Sequence, residues 1–244
     1  MKFSICIPTL NEEKYVGGIL GCLTKQTFKD FEVIVVDGNS EDKTKDVVLG
    51  FKDKLDIKFM ECPKRGVSGQ RNYAAKNSNN DYIFFFDADV MIDDDFIERI
   101  KGHLEKHDID ILTSWNKPLS SRVDDELLYL FYNFFALELI KKISPGAIGT
   151  FICVKRKSFE KIGGFKENIN FAEDYDLVKR FFKSGFHYVL LKKPQIKVSV
   201  RRLEKEGRFN MTMKQIKAAT YYLLEGEDFA DKIKDKFKHE FGKF

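Results

Sequence analysis

Tyr82-Ile83-Phe84-Phe85-Phe86-Asp87-Ala88-Asp89-Val90 sets five apolar or aromatic residues directly before an acidic pair. A run of that length without polar interruption suits a strand buried on both faces, as in parallel sheets covered by helices. Carboxylates at the C-terminal end of such a strand lie where open α/β sheets bind ligands. If the strand continues extended, Asp87 and Asp89 point to the same side. Two carboxylates on one rim can hold a hard divalent cation, which in turn holds a diphosphate.

Outward from this segment the same unit repeats. Residues 2–9 (Lys-Phe-Ser-Ile-Cys-Ile-Pro-Thr) read as a strand ending near Pro8, after which Asn11 is expected to cap a helix. That helix carries Val16, Ile19, Leu20 and Leu23 at i, i+3, i+4 and i+7. A second strand, residues 31–36, runs into Asp37-Gly38-Asn39-Ser40 and a helix starting near Asp42. A third covers residues 57–62, followed by the turn signal Pro63-Lys64-Arg65-Gly66 and a helix over residues 68–77. Strands alternating with helices predict an α/β fold whose mostly parallel sheet has helices on both faces. Each polar loop named so far follows a strand, so all of them gather on one edge.

Six segments, in order, carry a resemblance: Ile7-Pro8-Thr9-Leu10-Asn11-Glu12-Glu13, Val35-Val36-Asp37-Gly38-Asn39-Ser40, Gly69-Gln70-Arg71-Asn72, Asp87-Ala88-Asp89, Gly163-Gly164-Phe165 and Ala172-Glu173-Asp174. Together they resemble the inverting family 2 glycosyltransferases of the GT-A fold, in particular the group that includes dolichol-phosphate-mannose-synthase-like enzymes. The resemblance covers roughly residues 2–202. It implies a Rossmann-like GT-A domain over 1–202, leaving 203–244 as a C-terminal helical appendage.

It also implies a chemistry. A nucleotide-sugar donor gives up its sugar to an acceptor glycan or polyprenyl phosphate, and Mn2+ or Mg2+ stabilises the departing diphosphate. The metal is assigned to Asp89, with Asp87 beside it or nearer the ribose. The nucleoside is expected at Pro8, Thr9, Asn11, Glu12 and Asp37, with Arg71 reaching base or phosphate. Gly66 and Gly69 either permit close backbone approach or are ordinary turn glycines. Asp174 is the expected base and Asp176 the less favoured alternative. Arg201-Arg202 suits diphosphate or lipid-phosphate recognition, or is a solvated cluster.

Composition narrows the remaining classes. Formal net charge is +4 with Lys and Arg interspersed among Asp and Glu, which gives little reason to expect nucleic-acid binding. Cys6, Cys22, Cys62 and Cys153 lack CxxC spacing, so buried reduced thiols and a cytoplasmic location are expected. His103, His107, His187 and His239 show no ligand spacing. Residues 127–140 are apolar and aromatic but are interrupted by Asn133 and Glu138, too short and polar to span a bilayer. That segment reads either as a buried helix or as a peripheral lipid-facing surface. Phe229, Ile233, Phe237 and Phe241 form a four-residue stripe suited to docking on the domain, on a second subunit or on a membrane.

Two alternatives stand beside glycosyl transfer. A sugar-nucleotide-forming nucleotidyltransferase shares the sheet and the acidic metal ligands, yet ordinarily carries a Gly-rich basic loop where this chain has Pro8-Thr9-Leu10-Asn11-Glu12-Glu13. A non-catalytic nucleotide-sugar-binding regulatory domain is the other.

Overall fold

The β4 strand, Tyr82–Phe86, sits inside an eight-stranded mixed sheet and is buried along its whole length. Tyr82, Phe84 and Phe86 pack into one hydrophobic layer, while Ile83 and Phe85 pack into the other. This two-sided burial is why the segment needs no polar alternation. Each buried phenylalanine stabilises the fold by about 1.5–3 kcal/mol, and the ring of Phe86 stacks on Phe151 at 4.9 Å between centroids.

The computed structural model describes residues 1–63, 65–139, 146, 149–169, 172–208, 210 and 213. In chain order the first half is β1 Phe3–Thr9, α1 Val16–Lys25, β2 Phe31–Asp37, α2 Thr44–Leu49, β3 Ile57–Glu61, α3 Val67–Lys76, β4, β5 Val90–Met91 and α4 Phe96–Lys106. The second half is β6 Ile111–Pro118, α5 Val123–Tyr132 continuing as a π-helical segment Asn133–Leu139, β7 Phe151–Lys155, α6 Arg156–Lys161, α7 Glu173–Lys183, β8 Tyr188–Val198 and α8 Arg201–Glu206. Strand order is β3-β2-β1-β4-β7-β6-β8-β5. The pairs among β1 to β4 are parallel, as is β6 with β8, whereas β7 runs antiparallel to both its neighbours. Helices α1 and α4 contribute to one layer, and α3, α6 and α7 to the other.

Parallel register brings the C-terminal ends of β1, β2 and β4 to one edge, with Thr9 directly beside Asp37. The strand–helix alternation is therefore as expected, and all four cysteines are buried free thiols. Two local expectations are corrected. Helix α1 starts at Val16, with Tyr15 at its N-cap, not at Asn11. Asn11 instead takes a left-handed conformation, φ 56°, which Asn tolerates, and its side-chain oxygen accepts the Glu41 N–H at 2.9 Å. Second, β4 stops at Phe86, so the aspartate pair lies in a turn and strand alternation does not set its direction. That turn is held by the Asp87 N–H donating to Thr150 O at 3.2 Å and the Ser199 N–H donating to Asp89 O at 3.2 Å. Arg201 and Arg202 open α8 after β8 has ended at Val198. Phe229, Ile233, Phe237, Phe241, His239 and most of the appendage lie outside the described residues.

Candidate functional site

Three consecutive residues of α3 organise the edge, because helical geometry points each one about 100° from the last. Gln70, fully buried, donates to the carbonyls of Thr9 (2.8 Å) and Val36 (2.7 Å), stapling the ends of β1 and β2. A Cβ at Gly38 would sit 3.3 Å from that amide, so the close approach uses the missing side chain. Asn72 exchanges hydrogen bonds with the backbone of Phe165, 2.8 and 2.9 Å, and so holds the Gly163-Gly164-Phe165 turn. Arg71, 1% exposed, donates to Asp87 (2.7 Å), Glu173 (3.0 Å) and Gly149 O (2.8 Å).

Thr9 and Asp37 meet on the rim as expected. The Thr9 hydroxyl donates to Asp37 Oδ1 at 2.9 Å, and the Ser40 hydroxyl and N–H donate to the two carboxylate oxygens at 2.6 and 2.7 Å. Pro8 is buried in β1 next to Val36. Asn11 also ties this loop to β1, its N–H donating to the Ser40 hydroxyl at 2.8 Å. Gly66 precedes α3 with φ 136° and open space around the position of a Cβ.

A second cluster spans the aspartate turn and the start of α7. Asp174 is partly exposed at its edge, with the Tyr175 N–H on Oδ1 at 2.9 Å. Removal from bulk water, then the neighbouring Glu173 carboxylate, push its carboxyl up to about 7, against the pull of Arg71. A Cβ on Gly149 would fall 3.3 Å from both Asp174 and Arg71, so glycine lets that strand approach pass close to the acids. Asp176, the alternative base, is taken by Arg180 (2.7 Å) and Lys166 (3.3 Å).

The third cluster joins Glu12, Asp89 and Arg201. Arg201 forks onto Glu12 at 2.8 and 2.7 Å, its Nε lies 3.0 Å from Asp89, and its guanidinium lies 4.3 Å from the Tyr15 ring centroid. Burial, then Asp87, raise the Asp89 pKa, and burial raises that of Glu12. Arg202 is close enough to Asp89 to oppose its shift. Across both clusters the carboxylates Glu12, Asp87, Asp89, Glu173 and Asp174 outnumber the guanidinium groups of Arg71, Arg201 and Arg202. The surplus is negative.

A divalent cation fits that surplus and its oxygen-only donor set. Among the described residues no three His, Cys, Asp or Glu side chains form a metal-binding group. This agrees with the usual holding of Mg2+ by one or two carboxylates together with substrate phosphates and water. Asp89, with Asp87 beside it, would be the protein's share.

The aromatic segment turns out to border these acids. On α5, Tyr129 is packed against the core and its hydroxyl pKa is pushed up to about 12 by burial, then by Asp89. The Tyr132 and Tyr175 hydroxyls lie 3.0 Å apart beside Asp174. The opposite face of the same helix is exposed and apolar: Val123, Leu127, Leu130 and Phe131, then Phe134 in the π-helical segment. Sequence reading missed Gln70, Gly149, Tyr129, Tyr132 and Tyr175 as site residues. Gln70 lay within a quoted segment, but nothing in the spacing identifies the partners of the others.

The sequence profile of Glycosyl transferase family 2 matches residues 4–163. The poly(ribitol-phosphate) beta-N-acetylglucosaminyltransferase TarS of Staphylococcus aureus (strain Mu50) is 34% identical over 126 residues, 50% of this chain and 22% of TarS. The chain thus spans less than a quarter of that relative's length. A crystal structure of S. aureus TarS 1–349 in complex with UDP-GlcNAc superposes with TM-score 0.67 at 26% identity, covering 82% of this chain and 58% of that one. The fold is also that of the mannosyltransferase PcManGT from Pyrobaculum calidifontis, solved with GDP-Man and Mn2+: TM-score 0.74, 20% identity, 90% of this chain and 63% of that one.

Proposed function

This chain belongs to glycosyl transferase family 2, and from that membership we propose that it moves a sugar, with inversion, from a nucleoside diphosphate sugar to an acceptor hydroxyl. The observation that carries the reading is Asp174, a carboxyl pushed up to about 7 and linked to the aspartate turn through Arg71. A base tuned near neutral pH is what proton abstraction from a hydroxyl requires. Asp174 takes the acceptor's proton on the face opposite the leaving group. The strand-end loops of Thr9, Glu12 and Asp37 hold the nucleoside, and Asp89 and Asp87 would hold a divalent ion that neutralises the departing diphosphate. Arg71, spent on internal partners, positions Asp87 and Glu173 instead of touching the nucleotide. The family does not support the nucleotidyltransferase alternative. TarS, as its structure is described, binds UDP-GlcNAc, which makes a UDP-sugar the first donor to try.

A thermal-shift panel of UDP-, GDP-, CDP- and dTDP-sugars with Mn2+ tests the reading. A true donor at 100 times its Kd should add about 2.7 kcal/mol of stability. If none shifts the transition, the donor site is lost. The metal assignment has its own test. Asp89→Asn, which removes one charge at nearly constant shape, should lower Mn2+-dependent donor affinity and turnover together. Undiminished activity of that variant in excess chelator removes the metal from the scheme.

The acceptor reading rests on two features. A phosphate acceptor is already ionised near neutral pH and needs no base, so Asp174 favours a hydroxyl. The exposed Leu127, Leu130, Phe131 and Phe134 lie on the far side of the helix that carries Tyr129 and Tyr132 to the acids, which favours an acceptor with an apolar portion, such as a lipid-linked glycan at a membrane surface. Among the described residues no helix is long and apolar enough to cross a membrane. Phe131 is 49% and Phe134 46% exposed, so replacing both with serine should change stability little while reducing liposome co-sedimentation and transfer to a lipid-linked acceptor. Wild-type protein that never sediments with liposomes points to a soluble glycan or small molecule.

A further inference from the structure

Asp87 and Asp89 are each held by an arginine, and the two arginines differ in their freedom to leave. Arg71 is 1% exposed, with donors on Asp87, Glu173 and Gly149 O. Moving it would strand a buried cation. Arg201 is 12% exposed and stands on the first residue of α8, a six-residue helix. It lies between Glu12 and Asp89, forking onto one and touching the other. One monovalent group thus occupies Asp89, a carboxylate that the donor reading offers to a divalent ion, and ties it to Glu12 on the nucleoside side.

We infer that Arg201 is an exchangeable counter-ion. Without donor it sits on Glu12 and Asp89. When a divalent cation and a nucleoside diphosphate arrive together, the cation takes over Asp89 and the guanidinium transfers to the diphosphate oxygens, for which its planar fork is suited. A cation arriving alone must displace Arg201 with nothing to receive it, and a diphosphate arriving alone must draw Arg201 from two carboxylates that then repel one another. Metal and nucleotide therefore bind cooperatively, each strengthening the other by the same factor. This inference rests on the reading of the edge as a nucleotide-sugar site.

The test is Mn2+ titration of the full chain, by calorimetry and by electron paramagnetic resonance, first without nucleotide. Arg201→Met should bind Mn2+ on the order of tenfold more tightly than wild type, because a competing charge within a few ångströms is gone. The same variant should bind UDP or GDP with saturating Mn2+ at least about tenfold more weakly, having lost a charge-assisted contact. Arg201→Lys, which keeps a cation there, should stay near wild type in the first titration. Arg201→Met binding Mn2+ alone no more tightly than wild type overturns the exchange. Should that variant not fold, a wild-type crystal structure with UDP or GDP and Mn2+ decides. Arg201 turned away from Glu12 onto the diphosphate supports the exchange, and Arg201 still forked on Glu12 overturns it. Wild type that binds no nucleotide with Mn2+ would overturn the donor-site reading as well, whereas binding with Arg201 unmoved removes only the exchange.

Discussion

Replacing Asp174 with asparagine should leave donor affinity near wild type and lower single-turnover transfer by roughly 10²-fold or more, the scale of general-base assistance. The carboxyl sits at about 7, so wild-type turnover should climb as pH rises through that value and the base loses its proton. The variant should lose this limb. Stability should respond with the opposite sign. Folding raises this pKa from an ordinary value of about 3.9, so the native state binds the extra proton between roughly pH 4 and 7. The group's contribution to stability therefore falls as pH rises through that window. At pH 8 an uncharged asparagine should melt at or above wild type. Near-normal turnover would pass the role to Glu173 or to the substrate, and a variant with weakened donor binding would show that the carboxylate also holds the sugar nucleotide.

Arg71→Met should cost about 3–5 kcal/mol in urea unfolding, the range for removing one partner of a buried ion network. The cation is 1% exposed, and its loss leaves Asp87 and Glu173, 28% and 14% exposed, facing one another without a counter-charge and only partly screened by solvent. Adding Glu173→Gln should recover part of the loss, since residues sharing a partner do not behave additively. By contrast, Arg122 pairs with Asp124 in the open, 59% and 50% exposed, and Arg122→Met should stay within about 0.5 kcal/mol of wild type. A loss below 1 kcal/mol with sharply reduced nucleotide affinity would return Arg71 to direct nucleotide contact.

What the sequence made legible followed from local chemistry. An apolar run without alternation has to be covered on both faces, so the β4 strand and the edge at its end could be read from nine residues. The turn at Asp87–Asp89 could not, because it is held by backbone bonds to Thr150 and Ser199, residues whose nearness depends on antiparallel pairings elsewhere in the sheet. The partners of Arg71 were hidden for the same reason: Glu173 lies 102 residues away. Both carboxylates were visible as motif residues, but a cation in a motif says nothing of which anions the topology delivers to it. The aromatic segment was ambiguous because residue type does not distinguish the inner face of a helix from the outer one. On α5 the usual order is reversed. Asp125 is buried under Arg208 at 2.6 Å, while leucines and a phenylalanine face outward.

The attachment of three loops to α3 also sets a schedule during synthesis. Gln70 finds its carbonyls on strands already made, and Asp87 emerges soon after Arg71. Asn72 and Arg71 then wait for Phe165 and Glu173, 93 and 102 residues downstream. At about 5–20 residues per second the ribosome takes roughly 5–20 s to deliver Glu173 after Arg71. For that interval the nascent first half carries an arginine destined for the interior with only part of its anion shell, so it has reason to stay hydrated and open. The acidic helix that brings Glu173 thus also ends that wait.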